Sequence, residues 1–294
     1  MSTATSVAIA EPRLADYGPG VGAALSFAVA DVLSKVVFAS GMDVLSLITL
    51  RGILAAGIFW FWLRAAPPRL LHSPRARLIS IGLGVLFSAN VFLLLLAIQL
   101  MPLSIAILAY FIYPLLTGIA GAVLGIERLS FRSLAVAVVA FCGLALMLDA
   151  QPGTLQPVGL IAAFGAAITR VVSLLVTRAK LGGTEARLTT WYSLSAAAAV
   201  FVAASLMTRT FNPPATNAGW VAFVGMGVTT PLSMLWIYVS TARVGAFRTA
   251  LVMNLEPILS SVFSVALLGE MVSGPQVLGG GVMVASLCLF QLRR

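Results

Sequence analysis

LAYFIYPLLTGIAGAVLGIE, residues Leu108–Glu127, is one apolar, helix-length stretch with a proline inside it and a glutamate at its end. Shifted by 143 residues it lies on LVMNLEPILSSVFSVALLGE, Leu251–Glu270. Leu108 meets Leu251, Pro114 meets Pro257, Leu116 meets Leu259, Leu124 meets Leu267 and Glu127 meets Glu270. Leucine matches are partly compositional in so apolar a chain, but the proline and the terminal glutamate are less easily matched by chance. A shift of 137 residues likewise sets Gly22 and Phe27 on Gly159 and Phe164. The chain reads as an internal duplication, the feature that organises any fold built on it.

The medium around that duplication follows from composition. The 294 residues are 60% hydrophobic and 9% charged, against about 25% charged in soluble chains. So few charges do not cover a water-facing surface, and the expected solvent is lipid. The net charge of +9 lies mostly between apolar runs. Its expected partners are lipid headgroups, not nucleic acid. MSTATSVAIAEPR has no basic segment ahead of an apolar core, so no cleavable leader is expected. Cys142 and Cys288 fall inside apolar runs and read as small packing residues. A single histidine, His72, makes no metal cluster. No phosphate loop, ligand spacing or nucleophile set is present in the sequence, so neither a catalytic site nor a metal or other cofactor is expected.

A spanning helix needs about 20 apolar residues. Ten such runs can be placed: 18–38, 43–64, 77–99, 103–124, 131–149, 157–178, 187–208, 218–240, 246–268 and 274–292. Turn residues or charge break them, as at Ala66-Pro67-Pro68, Gly182-Gly183 and Asn212-Pro213-Pro214. Outside the runs, every lysine and arginine except Arg209 falls on one side of the membrane, which the positive-inside rule makes cytoplasmic. The expected fold is therefore all-α and integral to the membrane, with ten transmembrane helices and both termini cytoplasmic. Its parts are a tail over 1–17, a five-helix repeat over 18–152 and a second over 153–294. Five is odd, so the second repeat enters the membrane inverted. Inverted repeats build secondary transporters with a site near the midplane.

The paired proline-to-glutamate spans resemble the drug/metabolite transporter superfamily with its two EamA-type repeats. LITLRGILAA around Arg51, Lys35 in the first span and NLEPILSSVFSVALLGE in the ninth are similar to its pattern. The first repeat departs from it, with Gly125-Ile126-Glu127 in place of Leu-Gly-Glu and Tyr113 in place of Glu256. In overall character the chain is most similar to YddG-type aromatic amino acid exporters. The resemblance implies export of amino acids or related metabolites by alternating access across the inner membrane, in a multi-pass protein whose partners are the bilayer and a small molecule. Export of cationic drugs is an alternative that wants an exposed carboxylate in the cavity. An integral-membrane scaffold or enzyme without transport is the alternative of another class.

Charges within spans are costly, at least about 2.5–3.5 kcal/mol each, so each wants a reason. Asp31 and Arg51 are opposite in sign at matched depth, and Lys35 lies one turn from Asp31. Arg170 and Glu256 form a similar pair in the second half. Static pairing, gating and substrate recognition are the open readings. Pro114 and Pro257 remove a backbone hydrogen bond and kink their helices. Tyr110, Tyr113, Pro114, Met253, Asn254, Glu256 and Pro257 are the expected lining of a midplane site. The tyrosines would stack on an apolar or aromatic substrate, and Arg51 or Arg170 would meet a carboxylate. Asn90 either orients a polar group or bonds across helices. Glu127 and Glu270 are expected to snorkel or to cap a neighbouring helix. The aromatic belt claims Trp60, Trp62, Trp191, Tyr192, Trp236 and Tyr238.

Overall fold

Residues 13–148, 156–269 and 271–292 are described by the computed structural model. Glu270, Pro152 and Arg294 lie outside them. The described chain is helical: α1 (Gly18–Ala39), α2 (Val44–Ala65), α3 (Pro74–Leu100), α4 (Leu103–Tyr110), α5 (Tyr113–Val123), α6 (Phe131–Met147), α7 (Pro157–Leu181), α8 (Ala186–Thr208), α9 (Asn217–Val244), α10 (Ala246–Val252), α11 (Leu255–Leu268) and α12 (Gly274–Leu292). Among the described residues, eight segments are long and apolar enough to cross a membrane, counting α4 with α5 and α10 with α11 as one span each. The apolar helices Phe131–Met147 and Gly274–Phe290 are shorter.

The two proline spans are interrupted, not merely kinked. In the first, α4 ends at Tyr110 and α5 restarts at Tyr113 with Pro114 in its first turn. In the second, α10 ends at Val252 and α11 restarts at Leu255 with Pro257 in its first turn. Proline has no N–H to give the carbonyl four residues back, but a helix start has no use for that donor. Each proline therefore sits where a new helix begins. Pro231 differs: α9 runs through it unbroken. At the far ends of these spans, Gly125 and Gly269 take φ of +67° and +68° and stop α5 and α11 in the left-handed conformation that glycine adopts without strain. Gly125 falls one residue ahead of the repeat position of Gly269, which accounts for the Gly-Ile-Glu order in the first repeat.

Helix ends are tied by their own chemistry. Ser73 accepts from the Ala76 amide at 3.2 Å, with Pro74 at N1, so α3 starts earlier than the apolar run alone implies. Asp43 caps α2 through Ser46 N (2.9 Å) and also accepts from Asn212 Nδ2 (3.0 Å), joining the α1–α2 and α8–α9 turns. Slight burial pushes the Asp43 carboxyl up, but the hydrogen bonds from Ser46 and Asn212 outweigh it and hold the carboxyl below its usual range. Burial pushes the His72 imidazole down, with Glu185 partly offsetting, while its Nε2 lies 3.0 Å from Thr189 Oγ1.

Helix packing repeats under exchange of the halves. The pair α1–α9 is matched by α7–α3, α1–α11 by α7–α5, and α3–α8 by α9–α2. Two pairs, α2–α8 and α6–α12, join repeat-equivalent helices directly. Both run antiparallel. Thr49 near the start of α2 donates to Phe201 O in the later part of α8, while Arg187 at the start of α8 donates to Ala66 O just past α2. Arg132 at the start of α6 reaches Leu289 O near the end of α12, and Gly143 faces Gly279 and Met283. The largest core cluster, around Tyr113, Leu144, Val171, Met253 and Met283, joins both halves. Large apolar side chains such as Phe61, Val123 and Val221 face outward, as a lipid environment allows. Cys142 and Cys288, expected as packing residues, are unpaired and exposed instead, because their helix faces point away from the bundle.

Candidate functional site

The break between α4 and α5 is set among aromatic rings. Tyr110 and Tyr113 have ring centroids 5.3 Å apart, and Phe111 lies within 5.6 Å of both. Tyr113 is fully buried and Tyr110 half-buried. The guanidinium of Arg170, from α7, stands over the Tyr113 ring at 5.8 Å. At that distance the ring face attracts the cation. Glu256, at the start of α11, feels attraction from Arg170 and repulsion from the like-charged Asp31. Met253 and Asn254, at the matching break in the second half, are buried, Met253 in the same cluster as Tyr113. Pro114 is buried and Pro257 half-buried.

Asn90 bonds across helices: its Nδ2 donates to Ala166 O at 2.6 Å and Thr169 Oγ1 at 2.9 Å on α7. Asp31 and Lys35 are exposed and reach α11, Asp31 accepting from Ser260 Oγ at 2.7 Å and Lys35 donating to Ser264 Oγ at 3.1 Å. Arg51 and Lys35 supply positive charge around Asp31. The structure thus gathers the tyrosines, Asn90, Arg170, Glu256 and Met253 at one centre. Asp31 and Lys35 connect to that centre along α11, by way of Ser260 and Ser264.

Two recesses adjoin this centre, and neither is lined by α4, α5, α10 or α11. One is formed by α3, α7 and α9, with Phe87, Arg170, Ser173, Thr177 and Tyr238 among its walls. The other is formed by α2, α3, α8 and α9, with Arg51, Phe87, Phe201 and Thr230. Of the residues expected at the site, only Arg170 and Arg51 face these recesses. Phe87 lines both. Tyr238, expected in the interfacial belt, is buried and donates to Ser193 Oγ at 3.0 Å, because its face of α9 turns into the bundle. Thr230 and Ser193 carried a signal in the sequence, being polar within apolar runs. Phe87 carried none beyond its position: it is the repeat counterpart of Thr230 under the 143-residue shift.

Arg170 Nε and Thr230 Oγ1 are buried and find no hydrogen-bond partner. A buried polar group left unpaired costs roughly 1–3 kcal/mol, more when charged, and asks for an explanation.

The model of the EamA-like transporter family matches residues 19–149 and 157–292. No curated protein matches the chain. Among solved structures, one described only as the crystal structure of a protein superposes with a TM-score of 0.82 at 19% sequence identity, over 95% of this chain and 99% of the other. At that identity the likeness speaks to the fold.

Proposed function

This chain belongs to the EamA-like transporter family, a family of membrane transporters and not of enzymes, and from that premise we propose that it exports amino acids, aromatic ones included, or related metabolites. In this reading it is a secondary transporter of the inner membrane working by alternating access. Ten spans form two inverted five-helix repeats, and both termini lie in the cytoplasm. The observation that carries the reading is the antiparallel contact of repeat-equivalent helices, α2 with α8 and α6 with α12. A two-fold axis in the membrane plane produces such pairs, and rocking one repeat against the other then exposes a central site to each side in turn. Reporter fusions test the topology: one at Arg294 should read cytoplasm and one after Pro152 the opposite side. The same side for both would overturn the inverted arrangement.

Chemistry at the centre suits an amino acid. A carboxylate takes a guanidinium, an ammonium takes Glu256 or Asp31, and an aromatic ring rests on a tyrosine. Tyr110 is the less buried of the pair, so this reading assigns the stacking ring to it. Stacking there adds about 0.5–1.5 kcal/mol beyond burial. Tyr110→Leu keeps the bulk and loses the ring. In liposome counterflow with a panel of amino acids, it should weaken aromatic substrates several-fold more than aliphatic ones, and Tyr113→Leu should do so less. Equal small effects on every substrate would place the site elsewhere.

One observation favours a second reading, the export of organic cations: Asp31 sets a carboxylate within a span, where α1 meets α11. The same liposomes loaded with quaternary ammonium compounds distinguish the two. Movement of these cations without amino acids would favour the second.

A further inference from the structure

Phe87 stands midway along α3 (Pro74–Leu100), with a recess on each side of it along the helix. The recess with Arg170 extends toward Leu83, Thr177 and Tyr238, near the membrane face where α3 begins. The recess with Arg51 extends toward Ile48 and Phe201, near the opposite face. Each holds one arginine and borders one buried polar atom without a partner, Arg170 Nε in the first and Thr230 Oγ1 in the second. Arg170 is nine-tenths buried, and the Tyr113 ring holds its guanidinium while the Nε donor stays unused. A static ion pair would satisfy the guanidinium more fully. An arginine held by a ring, with a donor to spare and the Ser173 side chain beside it in the same recess, is arranged to receive an anion.

We propose that the recess below Phe87 is a binding station for the carboxylate of the transported molecule, with Arg170 as its donor. Phe87 is the side chain that separates this station from a second one at Arg51 across the midplane. The carboxylate passes between the two arginines only when the Phe87 ring swings aside, so Phe87 limits the rate of transfer. The inference rests on the transport reading above and names the chemistry its site selects.

Binding is read separately from transport. The purified full-length protein in detergent is titrated with L-phenylalanine, 3-phenylpropionate and phenethylamine, and the unfolding temperature is followed. Both carboxylates should raise it and the amine should not. Arg170→Gln should weaken both carboxylates about tenfold or more, as expected for loss of a charged hydrogen-bond donor, and Arg170→Lys should restore part of the affinity. Phe87→Ala should speed L-phenylalanine counterflow several-fold, and counterflow no faster than that of the unaltered protein would overturn Phe87 as the barrier between the recesses. No shift with any carboxylate, a shift with phenethylamine alone, or shifts untouched by Arg170→Gln would overturn the station. If Arg170→Gln fails to fold, Arg170→Lys decides: unchanged carboxylate affinity overturns the station and weakened affinity supports it. Carboxylate binding without counterflow would sink the transport reading and leave the station standing. Counterflow of L-phenylalanine that is indifferent to both Arg170 variants would do the reverse.

Discussion

Glu127→Ala should lower stability by about 2–4 kcal/mol, the scale of losing charged hydrogen bonds to buried amides, and should loosen one end of the bundle. Glu127 lies just past α5, and its two carboxylate oxygens accept from the backbone amides of Ala246 (2.5 Å) and Phe247 (3.0 Å) at the start of α10. Those amides have no partner within their own helix, and the helix dipole adds attraction for the negative charge. Arg178 of α7 approaches Glu127 at 3.6 Å and donates to Ala242 O at 2.6 Å, so three elements meet at one carboxylate. The approach depends on Gly245, whose φ of +102° suits glycine and whose missing side chain leaves room for Glu127. Glu127→Gln keeps one acceptor oxygen and should lose less than half as much. Thermal unfolding in detergent gives the size of the effect. Hydrogen exchange at the Ala246 and Phe247 amides gives its place, and unchanged protection there would contradict the cap.

Gly84→Ala should separate α3 from α8 and cost about 3 kcal/mol, the upper end for overpacking, since the obstacle is backbone. A methyl at Gly84 would overlap the Ser193 carbonyl oxygen and lie 2.8 Å from Ala196 Cβ. A carbonyl held in α8 cannot rotate away as a flexible side chain can. In lipid, helices associate through close contact more than through expulsion of water, so a forced gap is poorly compensated. The same contact holds Ser193, which donates to Ser80 O at 2.8 Å and accepts from Tyr238, so the strain reaches the wall of the Arg170 recess. Gly82→Ala, half a turn away, meets nothing within 4 Å and should be close to neutral. Equal unfolding temperatures for the two variants would contradict tight packing at Gly84.

What the sequence determined by itself is whatever depends on patterns local to the chain. A composition this apolar requires a lipid solvent, and helices follow from the need to satisfy the backbone there. The duplicated proline stretch marked two repeats, and the family match covers both. The intramembrane charges were visible one by one because each contradicts its surroundings. Only the tertiary structure decided which of them meet. It tied Asp31 and Lys35 to α11, set Arg170 against Tyr113, and assigned Asn90 to α7. It showed that the two matched prolines, Pro114 and Pro257, each sit where a new helix starts, because a break is tolerated only where neighbouring helices cover the exposed backbone. It also brought forward Phe87, an ordinary apolar residue within an apolar run. Phe87 gains its place from α2, α7, α8 and α9 closing around it, and contacts between segments so distant in sequence leave no mark in the local pattern of either.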